Sequence, residues 1–175
     1  CVTQIGYAAF SGCTALRNVV LSQRLRAIHK ETFSECSALT HIEIPDSVET
    51  IGTCAFQKCA SLSAVTVGGS VQLIEKFSFS GCQNLTLLSV NSITPPVIDS
   101  TLSSQRLSRL VVSVPCGQKE TYQAAPKWQN LDIRELPEHH LMLLTDDSKH
   151  GRATLVGSDC NTDSVTVAAV PIVPY

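Results

Sequence analysis

Cysteines are the residues of this chain whose spacing first suggests chemistry. Cys13, Cys36, Cys59 and Cys82 follow one another at a constant 23-residue step. This step predicts that they stack in register along one column of a repeat array. In-register side chains point the same way, which disfavours a disulfide even though neighbouring coils lie close enough for one. We therefore predict reduced thiols buried in a core, where cysteine behaves as a small hydrophobe.

The other cysteines leave alternatives open. The chain has eight cysteines, a number that also fits a disulfide framework. Cys54, Cys116 and Cys160 are out of phase with the repeat and cannot be assigned as a pair. Cys1 could carry a lipid, but residues 1–5 match a point inside a later repeat, which favours a fragment boundary. A zinc site is disfavoured because the sequence has no C-x-x-C or H-x3-H pair.

Catalytic motifs are absent from the sequence. We find no G-x-S-x-G, glycine-rich phosphate loop or H-E-x-x-H. His139, His140 and His150 lie near Asp146 and Asp147, but nothing fixes their spacing, so a solvated connection is preferred to a metal site. A buried thiol with no adjacent base is inert. We predict a protein that is not an enzyme and needs no metal or cofactor.

Five further apolar columns keep the same step over four units and indicate the elements that position the cysteines. The pattern predicts a leucine-rich repeat solenoid of the α/β class, in which each unit buries its apolar side against its neighbours. Its last positions alternate like a strand and predict a short parallel sheet on the concave face. Spacings of five, three and three in the other half predict helical turns or short helices on the convex face. Gly12 and Gly81 should have positive φ. The second unit shows the columns as Ile28, Phe33, Cys36, Leu39, Ile42 and Ile44.

The array is expected to end in an atypical unit. We predict a solenoid over residues 1–136, with a capping unit at 91–136, a linker at 137–140 and a partial β-rich module at 141–175. The capping unit should contain a strand with alternating inward residues at 110–114. Tyr122 and Trp128 are expected to cover the end of the core, with an exposed, carbohydrate-stacking Trp128 as the alternative.

Charge and hydropathy exclude other classes of partner. The net charge is −2 and no basic stripe is present, which argues against nucleic acid. No run of eighteen apolar residues occurs, so membrane attachment would require an anchor outside this chain.

The repeat unit resembles a known family. Residues 28–45 read Ile-x4-Phe-x-x-Cys-x-x-Leu-x-x-Ile-x-Ile-Pro, which closely resembles the BspA-like leucine-rich repeat of bacterial surface proteins. Residues 94–128 are similar to the terminal repeat of such proteins in gut and oral Bacteroidetes, and residues 165–175 to a β-rich repeat that follows these arrays. The resemblance implies a secreted or surface-anchored protein of adhesion or partner binding, without enzymatic activity. Related repeats also occur on protozoan parasites, so the source stays open.

Strand residues between the inward positions should face outward on the concave sheet and form a preformed binding surface. Their mixture of apolar and polar types fits an interface core with a polar rim. We predict a cell-surface module that recognises a protein or glycan through this face, and a host-derived partner fits this prediction. A structural spacer that presents another domain is the alternative. The predicted face comprises Asn18, Val20, His41, Glu43, Ala64, Thr66, Leu87, Ser89, Arg109 and Val111.

Overall fold

The computed structural model describes residues 2–99, 109–135, 142–145, 153–158 and 165–169. Within these ranges the chain forms two parallel sheets, one antiparallel sheet and one short helix. In chain order the elements are β1 (Ala27–Ile28), β2 (His41–Ile44), β3 (Thr50–Ile51), β4 (Ala64–Val67), β5 (Leu73–Ile74), β6 (Leu87–Val90), β7 (Val97–Ile98), β8 (Val111–Val114), α1 (Lys119–Ala124), β9 (Asp132–Glu135), β10 (Met142–Thr145), β11 (Ala153–Ser158) and β12 (Val165–Ala169).

The larger parallel sheet has the order β2-β4-β6-β8-β9. Its register follows the repeat, since Ile42 pairs with Val65 and Val65 with Leu88, each one repeat further along the chain. These three residues and Val112 of β8 are buried, because alternate side chains of a strand point to the same face of the sheet. The predicted stack of short parallel strands is confirmed.

A second parallel sheet runs β1-β3-β5-β7 and consists of two-residue strands. Ile28, Ile51, Ile74 and Ile98 stack in its buried column. The last step, from Ile74 to Ile98, is longer by a single residue than the steps before it. The apparent end of the pattern after Val90 is therefore an insertion of one residue, and the stack continues into a fifth coil.

The convex side is built from turns, and the predicted helical convex face is wrong. The only helix in the described residues, α1, has six residues and follows the repeats. In the second unit the N–H of Phe33 donates to the carbonyl of Ala55 in the next coil (2.8 Å), whereas that of Cys36 donates to the carbonyl of Phe33 (3.3 Å). Because alternate N–H groups bond to the neighbouring coil, the i to i−4 ladder of a helix cannot form. A three-residue spacing fits such consecutive turns as well as it fits a helix.

Two columns of residues in these turns have left-handed backbone conformation. The prediction of positive φ at Gly12 and Gly81 is confirmed, with values of 73° and 82°. Glu35 and Lys58 occupy the same column with φ of 61° and 58°, so the fold imposes this conformation even where the residue has a Cβ. The second column contains Ala8, Glu31, Cys54 and Phe77.

A ladder of phenylalanine rings forms the centre of the core. The ring centroids of Phe10 and Phe33 are 5.2 Å apart, and those of Phe33 and Phe56 and of Phe56 and Phe79 are 5.5 Å apart. The planes of successive rings are within 6° of parallel. Phe33, Phe56 and Phe79 are buried, and Phe10, in the first coil, is 38% exposed.

Gly68 lies where two coils approach closely, and we expect Gly68→Ala to destabilise the fold by about 1 to 3 kcal/mol. A Cβ at this buried position would lie 2.5 Å from the backbone carbon and oxygen of Pro45, so the coils would have to separate. Chemical denaturation measures the loss.

Gly69 provides the matched control, because a Cβ there meets nothing closer than 3.5 Å. Gly69→Ala should change the free energy of unfolding by less than about 0.5 kcal/mol. Equal effects of the two substitutions would show that the approach of the coils at Gly68 is not what requires glycine.

Tyr122 of α1 and Trp128 cover the end of the core that follows the repeats, as predicted. Trp128 is 1% exposed, and the centroids of the two rings are 5.0 Å apart in an edge-to-face arrangement. The Tyr122 hydroxyl donates to the carbonyl of Ser92 (2.7 Å), and Trp128 Nε1 donates to that of Pro96 (2.8 Å). A buried ring cannot stack on a carbohydrate, so that alternative for Trp128 is excluded.

The C-terminal part forms an antiparallel sheet of order β10-β11-β12. The strands predicted near 141–144 and 165–169 are confirmed. The predicted linker at 137–140, with His139 and His140, and the group of His150, Asp146 and Asp147 lie outside the described residues. The domain boundaries therefore stay a prediction.

Candidate functional site

The outward side of the larger sheet is the candidate site, and we call it the long-strand face. Each of its five strands contributes two outward residues, which register aligns into two rows across the sheet. The first row is His41, Ala64, Leu87, Val111 and Asp132. The second row is Glu43, Thr66, Ser89, Ser113 and Arg134.

The middle of the first row is apolar. Ala64, Leu87 and Val111 are half-buried, whereas His41 and Asp132 at the two ends are exposed. Neighbouring parallel strands are about 4.8 Å apart, so the apolar stretch is continuous over three strands. A partner that covers it would remove apolar surface from water, which favours association.

The second row supplies hydroxyl groups between two charged ends. Thr66 and Ser89 are half-buried and Ser113 is buried, while Glu43 and Arg134 are exposed. Serine and threonine hydroxyls can each donate and accept a hydrogen bond, so this row suits a ligand with polar groups at strand spacing. The long-strand face is thus neutral in the middle and ionic at both ends.

An ion pair fixes the end of the face on β9. Arg134 Nη2 lies 2.6 Å from Asp132 Oδ2, and both side chains are about half exposed. The hydrogen bond from Arg134 holds the pKa of Asp132 below its ordinary value. At the opposite end, His41 Nδ1 lies 3.2 Å from the hydroxyl of Thr40. The β9 end therefore presents a paired acid and base, and the β2 end presents His41 and the carboxylate of Glu43.

Six of the predicted face residues lie on the sheet in the predicted register: His41, Glu43, Ala64, Thr66, Leu87 and Ser89. Val111 also lies on it, but it pairs with Leu87, and the partner of Ser89 is Ser113. Arg109 is exposed in a turn before β8 and is not part of the ladder. The prediction placed Leu110 beside Leu88, one residue short of the constant step. One residue is also inserted between Val90 and Val97, so Leu88 pairs with Val112, two positions further on than predicted.

Asn18 and Val20 are not part of the sheet. Both are exposed, Val20 to 99%, and no strand is formed between residues 17 and 22. The face also includes Ser113 and the whole of β9, which adds Asp132 and Arg134, and these were not predicted from the sequence. Alternation of the buried Leu131 and Ile133 with these two polar residues is the signal that would have identified β9.

The cysteine column is part of the core. Cys36 Sγ donates to the carbonyl of Phe10 (3.2 Å), Cys59 Sγ to that of Phe33 (3.1 Å) and Cys82 Sγ to that of Phe56 (3.1 Å). The prediction of buried, reduced thiols is confirmed for these three residues. Cys13 is reduced but exposed, a correction that follows from its place in the first coil, where one side faces solvent.

Burial makes these thiols poor nucleophiles. Desolvation, with smaller contributions from Cys59 and Cys13, raises the pKa of Cys36 to about 12. Hydrogen bonding with Cys82 and desolvation also raise the pKa of Cys59. The thiolate is the reactive form, so neither residue can act as a catalytic nucleophile near neutral pH.

Other reactive groups do not converge on a site. Cys54 is a half-buried free thiol whose pKa is raised by desolvation and by Glu31, and Cys116 is disulfide-bonded. Cys1 and Cys160 lie outside the described residues. Among the residues that the structure describes, no three His, Cys, Asp or Glu side chains are grouped to hold a metal ion. Within the same ranges, no helix has the length and apolarity that a membrane span requires.

Stacked parallel coils with a regular outward face define a repeat solenoid, a class of protein that is typically non-catalytic and has a protein-binding or structural role. The family model for the BspA type leucine rich repeat region matches residues 1–113 in six copies. The chain belongs to this family, whose repeats are associated with surface proteins. No curated protein matches the sequence significantly.

Proposed function

We propose that this chain is a binding module of a secreted or cell-surface protein and that it contacts its partner through the long-strand face. The observation that carries the proposal is the composition of this face. Half-buried Ala64, Leu87 and Val111 cross three adjacent strands, and charged side chains lie at both ends. An apolar centre with a polar rim is typical of protein interfaces.

The dimensions of the face indicate the strength of binding. Five strands at about 4.8 Å and four residues at about 3.3 Å give an area on the order of 300 Å². A standard interface buries about 800 Å² on each partner. The partner must therefore also contact the flanking turns or further coils, and we expect this part alone to bind weakly.

The proposed location is supported by two features. Repeats of this family are associated with surface proteins. Cys116 is disulfide-bonded, and disulfides persist mainly in oxidising compartments outside the cytosol. Together with the sequence resemblance, these features support an adhesion role on a bacterial surface of the Bacteroidetes type. A host protein is the proposed partner, and attachment would use an anchor outside this chain.

A structural spacer is the second candidate. It is supported by the continuous bonding between coils, in which strands, turns and rings all stack in register. Such a stack is rigid and would hold a neighbouring domain at a fixed distance from a surface.

A binding screen with matched variants distinguishes the two functions. The protein would be tested against extracellular-matrix proteins and a glycan array, beside a variant with His41, Glu43, Leu87 and Val111 changed to alanine. We expect at least tenfold weaker binding of that variant, since buried anchors dominate interface energy. The control changes the exposed Gln72 and Lys76, which lie away from the face.

Equal loss in the control variant would contradict binding through the long-strand face. Absence of any binding by the unmodified protein would favour the spacer. Glycan binding that is lost in the face variant, without protein binding, would replace the proposed partner class.

A further inference from the structure

A cavity lies on the side of the solenoid, between the first and second coils. Its volume is about 440 Å³ and its walls are Thr3, Gln23, Arg24, Arg26 and Ser47. Arg24 and Arg26 come just before β1, so this cavity is formed by the connection between strands and includes no residue of the long-strand face.

The repeat holds the two arginines beside one another. Leu25, between them in sequence, is fully buried, whereas Arg24, in a turn closed by the bond from Leu25 N–H to the carbonyl of Ser22 (3.0 Å), and Arg26 are both exposed. The Ser47 hydroxyl donates to the carbonyl of Leu25 (2.8 Å) and attaches the next coil to this segment. Thr3 precedes Arg26 by one repeat and lies on the adjacent wall.

The cavity carries uncompensated positive charge. Arg26 Nη1 pairs with Glu49 Oε1 at 3.1 Å, which neutralises one guanidinium. Arg24 forms no ion pair with any residue in the described part of the chain. None of the five lining residues is acidic. An anion that enters would therefore meet one guanidinium that is not already paired.

The remaining lining groups are neutral and polar. Thr3 can donate and accept a hydrogen bond through its hydroxyl, and Gln23 can do so through its amide. A guanidinium presents parallel N–H groups that match the two oxygens of a carboxylate or a sulfate. The cavity thus combines one anion-binding group with several neutral hydrogen-bonding groups in a volume typical of small-molecule sites.

We propose that this cavity binds an acidic saccharide, whose carboxylate or sulfate pairs with Arg24 and whose hydroxyls bond to Thr3 and Gln23. A saccharide is favoured over an acidic peptide because the neutral polar side chains of the cavity outnumber its one unpaired cation, Arg24. These neutral side chains can form hydrogen bonds with the hydroxyl groups of a sugar ring. The inference is independent of the proposed function, because it concerns other residues and a different kind of ligand.

Isothermal titration calorimetry with glucuronate, glucose and a glutamate-rich peptide tests this site on the whole chain. We expect saturable binding of glucuronate, no measurable binding of glucose, and weakening with added salt. Arg24→Gln should weaken glucuronate binding at least tenfold. Arg17→Gln is the control, since Arg17 is also exposed but does not line the cavity.

Four results would overturn the proposal. Glucose binding as strong as glucuronate binding would show that the carboxylate does not contribute to binding. An equal effect of Arg17→Gln and Arg24→Gln would show that the ligand does not bind in the cavity. Tighter binding of the peptide than of glucuronate would show that the preferred ligand of the cavity is an acidic peptide and not a saccharide. Failure of all three ligands to bind would exclude the site. Arg24 is exposed, so its substitution is not expected to prevent folding, which circular dichroism would verify.

Discussion

Replacement of Phe56 by alanine is expected to lower the free energy of unfolding by about 3 to 5 kcal/mol. Phe56 is fully buried and its ring stacks on Phe33 on one side and on Phe79 on the other, both at 5.5 Å. Truncation removes two ring contacts and leaves a cavity in the centre of the ladder. Natural domains have a total stability of about 5 to 15 kcal/mol, so this single change could remove a large part of it.

Urea denaturation followed by tryptophan fluorescence would measure this loss, because the chain has a single tryptophan, Trp128, and it is buried. Phe10→Ala is the matched control. Phe10 belongs to the same ladder but has one ring neighbour and is 38% exposed, so its truncation should cost clearly less. Equal losses at the two positions would mean that ring stacking along the ladder does not determine stability.

Trp128→Ala, at the end of the core that follows the repeats, is expected to lower the free energy of unfolding by a similar amount, about 3 to 5 kcal/mol. The ring is 1% exposed and packs edge-to-face against Tyr122. Its loss would expose Tyr122 and leave the carbonyl of Pro96 without the bond from Nε1. Thermal unfolding followed by circular dichroism would measure the effect, since the substitution removes the fluorescent reporter.

Trp128→Phe separates the contribution of ring packing from that of the Nε1 hydrogen bond. It keeps an aromatic ring but removes Nε1, so the remaining loss should be about 1 to 3 kcal/mol, the cost of leaving a buried acceptor unbonded. An unchanged melting temperature in Trp128→Ala would contradict the capping role altogether.

The repeat step predicted most of the fold because the fold is itself periodic. A column of identical residues can be buried only if successive coils stack in register, so Phe33, Phe56 and Phe79 indicated both the solenoid and its core. The convex side was not predictable from the same pattern. Spacings of three residues fit helices and consecutive turns equally, and the choice depends on hydrogen bonds between coils, such as Phe33 N–H to the carbonyl of Ala55.

The strand register of the candidate face was predictable where the 23-residue repeat interval stayed constant and not where one residue was inserted. His41, Glu43, Thr66 and Ser89 lie in the predicted register because the same interval separates each of their strands from the next. One inserted residue then moved the partner of Ser89 to Ser113. The cavity at Arg24 had no sequence signal, because its walls come from consecutive coils and only stacking brings them together.

Contacts between coils join residues that are separated by nearly constant intervals along the chain. The bonds from Lys58 to Glu35, from Ser63 to Thr40 and from Gly69 to Asp46 all span 23 residues, and the thiol bonds all span 26. Duplication of one whole unit in the gene would therefore supply each new coil with its partners at once. Such a change would lengthen the solenoid by about 4.8 Å without disturbing the existing contacts. A duplication of part of a unit would misalign the columns, whereas the single residue inserted between Val90 and Val97 is absorbed in a connection between strands. The reach of this protein can therefore change in steps of whole coils.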